Sequence, residues 1–302
     1  MARTAPRVLD ADHADHADRP MAEAGSLSAP SARSASTLTE PDALAGARDG
    51  ALISDESLAR LVRIARHAGA AIMPYYRIDS GARAKSDGSP LTLADEAAHH
   101  VIVDALRAWT PDVPVVSEEG EIPDASVRQS WRRFWLVDPL DGTKEFLHRN
   151  GDFTVNVALV EDGEPVLGVV YAPAIDRCWY AGKSLGAWVE APDAPPTRVH
   201  STPPAEGAPL VVVESRSHPS EALERWLATV PVARRVPAGS SLKFCLVAEG
   251  TADVYPRFGP TMEWDVAAGD CVFRESGIDG PRRSPLTYNK PDLRNGDFVV
   301  GL

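Results

Sequence analysis

The segment Trp135-Leu-Val-Asp-Pro-Leu-Asp-Gly-Thr-Lys-Glu-Phe146 brings two carboxylates, Asp138 and Asp141, close together around a rigid proline, with a Gly-Thr step behind them. The apolar run Phe134 to Val137 reads as a buried strand that stops at Asp138-Pro139. A strand end that delivers two hard oxygen ligands into one small volume suits Mg²⁺, which prefers a few carboxylates, waters and substrate phosphate. Gly142 and Thr143 could open a helix or tight turn whose N–H groups face an anion. Metal ligands beside a phosphate cradle imply phosphate chemistry. The same letters also spell ordinary turns, because Asp-Gly and Asp-Pro are common turn dipeptides.

Acidic groups elsewhere bear on that choice. Thr92-x-x-Asp95 opens a helix, where Asp95 either caps the helix or holds a threonine hydroxyl in place for water activation. Glu118, in Ser117-Glu-Glu-Gly120, follows the short strand Pro114 to Val116. It is a solvated turn residue or, if that strand neighbours the one ending at Asp138, a carboxylate at the same sheet edge. Asp265 stands at the start of a later helix, as an N-cap or a ligand. Lys243 and Arg257 each read alone as surface cations, yet an acidic enzyme for a doubly phosphorylated substrate needs a few such groups.

Several elements must position these residues. Leu58, Leu61, Val62, Ala65, Ile72 and Met73 fall on one helical stripe behind Ser54-Asp55-Glu56, and a second helix is expected from Leu93 to Trp109. Strands over 153–160 and 165–171, joined through Glu161-Asp-Gly-Glu164, read as a hairpin that continues into an antiparallel meander near Cys178 and Ala187. Residues 191–209 are rich in Pro, Ala and Thr and read as a linker or exposed loop. Beyond them a strand at Leu210 to Val213 precedes helices around 221–228 and 240–249, a strand at 252–255 and a helix over 265–275. The expected organisation is an α+β metal-binding half over 51–190 and an α/β substrate half over 210–302, with the site between them. Residues 1–50 hold no Phe, Trp or Tyr and no sustained apolar period, and are expected to be a disordered extension. An Ala-Asp-His repeat around His13 and His16 gives that extension a weak capacity for a transition metal.

With 302 residues the chain can bury a sizeable core, and its 44% hydrophobic and 25% charged residues are ordinary for a globular protein. A net charge of −12 argues against a nucleic-acid polymer as partner. The three cysteines, Cys178, Cys245 and Cys271, show no paired spacing, which points to a reducing, cytoplasmic setting and away from structural zinc. No apolar run approaches membrane-spanning length, so no integral membrane segment is expected.

Taken in order, these stretches resemble the lithium-sensitive, Mg²⁺-dependent phosphatases of the inositol monophosphatase superfamily. The resemblance is closer to the bacterial 3′(2′),5′-bisphosphate nucleotidase (CysQ-type) branch. It is carried by Ser89 to Asp95, Val116 to Glu119, Trp135 to Phe146, Arg149 to Asn156, Gly239 to Gly250, Tyr255 to Thr261 and Trp264-Asp265. It implies a layered αβαβα sandwich. It also implies two or three Mg²⁺ ions on Glu118, Asp138, Asp141, Asp265 and the Leu140 carbonyl. Asp95 and Thr143 become the pair that activates the attacking water. Gly142, Thr143, Ser240, Lys243 and Arg257 become the groups that hold substrate phosphate or nucleotide. The implied reaction removes the 3′-phosphate of 3′-phosphoadenosine 5′-phosphate, giving AMP and phosphate in the nucleotide recycling of sulfate assimilation. An inositol or other sugar phosphatase, or a non-catalytic nucleotide-binding member, are the alternatives. The chain departs from the family in two places: one additional residue between the Glu-Glu turn and the Asp138 strand, and a shortened β segment after Ser276-Gly277.

Overall fold

The computed structural model describes residues 52–77, 83–84, 90–91, 93–217 and 220–302. The expected N-terminal extension, its His13–His16 repeat and Thr92 of the proposed capping box lie outside the described residues.

Helix α1 (Asp55–Arg77) starts at Ser54, whose hydroxyl accepts the Ser57 N–H at 3.2 Å. Its stripe of Leu58, Leu61, Ala65 and Ile72 is buried. A two-strand pair, β1 (Arg83–Ala84) and β2 (Pro90–Leu91), precedes α2 (Leu93–Trp109), which has the expected bounds. Both helices lie on one face of a seven-stranded sheet. Its strands in spatial order are β3 (Val115–Ser117), β4 (Arg133–Asp141), β5 (Thr154–Glu161), β6 (Glu164–Ala172), β7 (Arg177–Gly182), β8 (Gly186–Glu190) and β9 (Thr197–Val199). Only β3 and β4 pair in parallel; every other neighbour is antiparallel. The β5–β6 hairpin turns through Asp162 and Gly163, both at positive φ (52° and 78°), as a two-residue turn that matches strand twist requires. Two short helices, α3 (Ala125–Arg128) and α4 (Thr143–Leu147), flank β4.

Strand alternation sorts the sheet's side chains into two cores. Trp135, Val137, Val155 and Val157 pack against α1 and α2, while Phe134, Leu136, Ala158 and Val160 face α6 (Leu242–Ala248) and α7 (Glu263–Arg274). Helix α7 approaches β6 so closely that a Cβ at Gly168 would lie 2.7 Å from the Cys271 Cβ and 2.8 Å from the Ala268 carbonyl oxygen. Any larger residue there would push the helix off the sheet.

On the far side of α6 and α7 stands a second β layer. Strands β10 (Leu210–Ser215) and β11 (Val232–Ala238) run parallel, Val212 bridges to Val254, and β12 (Tyr255–Arg257) pairs with β15 (Phe298–Val300). A minor pair, β13 (Thr261–Met262) with β14 (Arg294–Asn295), adjoins the start of α7. Helix α5 (Glu221–Leu227) closes the outer face by packing Leu223 and Leu227 on Leu210, Val212 and Val254. The layers therefore run α, β, α, β, α, as the resemblance implied.

Three expectations change. Residues 191–209 are not merely a linker: β9 lies within them and extends the main sheet, and Ser201 N–H then bonds the Ser276 carbonyl at 2.9 Å. With α7 seated on the sheet, the two expected halves share one core. Strand β11 went unread because Arg234 and Arg235 are exposed and Pro237 interrupts the apolar pattern. After Ser276 the shortened segment is anchored by side chains: Tyr288 Oη donates to Asp270 at 2.8 Å and the Asn289 N–H to Glu263 at 2.7 Å. No described helix is long and apolar enough to cross a membrane.

Candidate active site

The parallel pairing of β3 with β4 puts Ser117 opposite Val137, and the Glu118 N–H bonds the Val137 carbonyl at 3.0 Å. Glu118 and Asp138 thus leave adjacent strands at the same edge. The helix that carries Asp265 starts beside them. One oxygen each from Glu118, Asp138 and Asp265 falls within 4.8 Å of the others, a spacing that one cation could bridge. Asp138 is buried, and its Oδ1 accepts the Leu140 N–H at 3.1 Å, which bends the chain through Pro139 and turns Leu140 and Asp141 into the same cleft.

That cleft has a volume of about 540 Å³, and its wall includes Glu118, Asp138, Leu140, Asp141, Gly142, Thr143, Ser240, Lys243, Arg257 and Asp265. Every site residue expected from the sequence except Asp95 lines it. Asp95 is buried in the first turn of α2, near enough to Asp138 to push its carboxyl upward.

Electrostatically the acidic wall is a cluster of like charges. Burial, then Glu118, Asp141, Asp265 and Asp95, drive the Asp138 carboxyl well above the ordinary carboxylate range. Asp265 is raised for the same reasons, burial first and then Asp141, and its Oδ2 accepts the Met262 N–H at 2.8 Å. It therefore caps α7 from within the first turn, rather than as the N-cap, and remains at the cleft. Burial raises Asp141 to about 6, opposed by Lys243 and by a hydrogen bond from Asn156. Repelling, desolvated carboxylates aimed at one point form a donor set that fits a hard divalent cation.

The opposite wall is basic. Lys243 is buried on α6; desolvation lowers its ammonium to about 8, against the pull of Asp141. Its Nζ donates to the Ser240 carbonyl at 2.5 Å and lies 5.4 Å from the Tyr255 ring centre. Arg257 donates to the Pro260 carbonyl at 3.1 Å from the edge of β12.

Gly142 sits between the walls at φ 91°, and a Cβ there would meet the Ser240 Oγ at 2.2 Å, so only glycine fits. Ser240, which the resemblance placed among the substrate-holding groups, has its hydroxyl within bonding distance of the Asp141 carbonyl (2.8 Å) and the Asp152 carbonyl (2.7 Å). Its side chain holds the Asp141 turn to the loop before α6. Sequence reasoning passed over the acids that complete this clasp. Asp152 accepts from the Gly239 N–H at 3.0 Å and from Arg216 at 2.8 Å, and the buried Glu145 accepts from the Ser217 hydroxyl. The only signal for Glu145 was its place in the Asp141 segment.

The matching family model is the inositol monophosphatase family, aligned over residues 54–298. The chain is 49% identical to the 3′(2′),5′-bisphosphate nucleotidase CysQ of Escherichia coli over 253 residues, covering 81% of this chain and 99% of that protein. To the CysQ of Salmonella typhimurium it is 50% identical over 225 residues, covering 73% and 88% of the two chains. The crystal structure of CysQ from Bacteroides thetaiotaomicron, described as a bacterial member of the inositol monophosphatase family, superposes with a TM-score of 0.67 at 39% identity. It covers 82% of this chain and 97% of that one. The chain belongs to the inositol monophosphatase family, a family of metal-dependent phosphatases.

Proposed function

We propose that the protein is a Mg²⁺-dependent 3′(2′),5′-bisphosphate nucleotidase that hydrolyses the 3′-phosphate of 3′-phosphoadenosine 5′-phosphate. Water supplies the oxygen, and AMP and inorganic phosphate leave. The observation that carries the reading is the meeting of three carboxylate oxygens within 4.8 Å of one another, in the cleft that Lys243 and Arg257 also line. The near-full-length likeness to CysQ proteins supports the nucleotide as substrate.

Glu118, Asp138, Asp141, Asp265 and the Leu140 carbonyl would hold two or three Mg²⁺ ions. Such ions, when bound, would supply charge neutralisation at the phosphoryl oxygens, a lowered pKa for a bound water and stabilisation of the leaving oxygen. Asp95 and Thr143 orient that water for in-line attack. The Gly142-Thr143 backbone, held by the Ser240 clasp, faces the phosphoryl group under attack. Lys243 and Arg257 supply cations for the second phosphate, which a simple polyol phosphate lacks. The product nucleotide returns to the adenylate pool, a recycling step beside sulfate assimilation.

Phosphate release measured on the bisphosphate nucleotide and on inositol monophosphate, with Mg²⁺, with EDTA and with added Li⁺, tests this. The expected result is Mg²⁺-dependent, Li⁺-inhibited release that favours the nucleotide by more than about tenfold in kcat/KM, with Arg257→Ala eroding that preference. Equal rates on both substrates, or release that persists in EDTA, would contradict it.

A further inference from the structure

Buried on β5, beneath the Asp141 turn, are Thr154 and Asn156, which the chemistry above does not use. In the antiparallel register Asn156 stands opposite Asp138 and Thr154 opposite Asp141, with the ladder disrupted between the two aspartates. That irregularity swings the Asp141 side chain back over β5. There the Asn156 amide Nδ2 donates to Asp141 Oδ2 at 3.3 Å, while the Thr154 hydroxyl donates to Asn156 Oδ1 at 2.9 Å. The orientation of the amide follows from chemistry: turned over, it would set its carbonyl oxygen against a carboxylate oxygen in a dry site.

We infer that Asn156, oriented by Thr154, is a positioning residue for the metal centre, fixing which oxygen of Asp141 faces the cation. Three physical arguments support this. The amide holds Oδ2 at 3.3 Å, which restricts rotation of the Asp141 carboxylate in the cleft wall. The donated bond also offsets part of the repulsion that Glu118 and Glu145 exert on Asp141. Finally, both residues lie on a central strand, Asn156 between ladders to β4 and β6 and Thr154 paired with β4, and a pair of short side chains transmits that rigidity to a ligand at a strand end. A purely structural role would be satisfied by any buried side chain of the right volume. This arrangement instead requires a donor at Nδ2 and an acceptor at Oδ1.

The inference rests on the proposed metal role of Asp141, and its test needs no substrate. Mn²⁺ binding to the parent protein, Asn156→Ala and Thr154→Val is measured by calorimetry or by the electron paramagnetic resonance of free Mn²⁺. Melting temperature in EDTA is recorded beside it. Asn156→Ala is expected to weaken Mn²⁺ about tenfold, and to raise the Mg²⁺ concentration needed for half-maximal phosphate release by the same factor, with nucleotide KM at saturating Mg²⁺ little changed. Thr154→Val, which keeps the volume, should lose affinity in the same direction by a smaller factor and carries the test should Asn156→Ala not fold. Metal affinity equal to the parent's in a folded variant would overturn the inference, whether or not its melting temperature falls. A nucleotide that proves not to be the substrate would leave the Mn²⁺ result standing, so the two failures are distinguishable.

Discussion

Helix α7 carries three acids within eight residues, Glu263 and Asp270 buried and Asp265 half-buried at the cleft, and they fall into two kinds. Glu263 is fully buried and fully met: it accepts from Lys290 Nζ at 2.7 Å and from the backbone N–H groups of Asn289 (2.7 Å) and Lys290 (3.0 Å). Asp270 is equally buried and binds Arg274 at 2.9 Å and Tyr288 at 2.8 Å. Asp265, between them, turns instead toward Glu118 and Asp138. The three acids differ in exposure, and above all in their neighbours. The first two pin the segment after Ser276, shorter than the family's as the sequence implied, to the helix. The third belongs to a cluster whose members repel one another and which a cation would relieve. A buried carboxylate matched by a side-chain cation is architecture; carboxylates that face one another across a cleft mark a candidate binding centre.

That contrast gives predictions with opposite signs for loss of charge. At the centre, Asp141→Asn should reduce phosphate release by at least about a thousandfold while leaving the melting temperature in EDTA unchanged or raised. At the anchor, Lys290→Met should do the reverse. It strands Glu263 without its cation and is expected to cost about 3–5 kcal/mol by chemical denaturation, with the folded fraction keeping its kcat. Gly142→Ala tests the hinge between the two walls: at φ 91° and against the Ser240 hydroxyl, it should cost about 1–3 kcal/mol and also lower kcat.

A smaller effect appears in pH dependence. Asp141 rises from its ordinary 3.8 to about 6 in the metal-free fold, and Asp138 rises as well. A raised carboxyl favours the folded state while protonated, so this contribution is fully present below about pH 4 and is lost as pH rises through about 6. Unfolding free energy in EDTA should therefore fall over that interval more steeply for the parent than for Asp141→Asn. The difference is on the order of 1 kcal/mol per pH unit, and parallel curves would refute the like-charge account.

Much of the centre was legible in the sequence because its acidic residues sit at or near element ends. The sequence pointed to a stop at Asp138-Pro139, whereas β4 runs on to Asp141 past an irregularity in its ladder, and its parallel pairing with β3 brings Asp138 beside Glu118. The helix bounds of α2 followed from periodicity alone. What periodicity could not carry was long-range pairing. Strand β11, with exposed Arg234 and Arg235, carries no alternating apolar signal and is held by its parallel partner β10. Strand β9, hidden in a Pro-rich stretch, is fixed by β8. Ser240 lines the cleft, and its hydroxyl makes a contact that the sequence did not show. The resemblance placed it among the groups that hold substrate; its hydroxyl meets the backbone carbonyls of residues 141 and 152.

The most direct test of this division is the melting temperature of Asp138→Asn at pH 7.5, in EDTA and then in Mg²⁺, beside the parent. The substitution keeps an oxygen for the Leu140 N–H and removes one charge from the cluster. If the cluster exists to hold cations, the variant melts at or above the parent in EDTA and loses most of the parent's rise on adding Mg²⁺. A variant that melts well below the parent in EDTA and still gains the full Mg²⁺ increment would contradict the account.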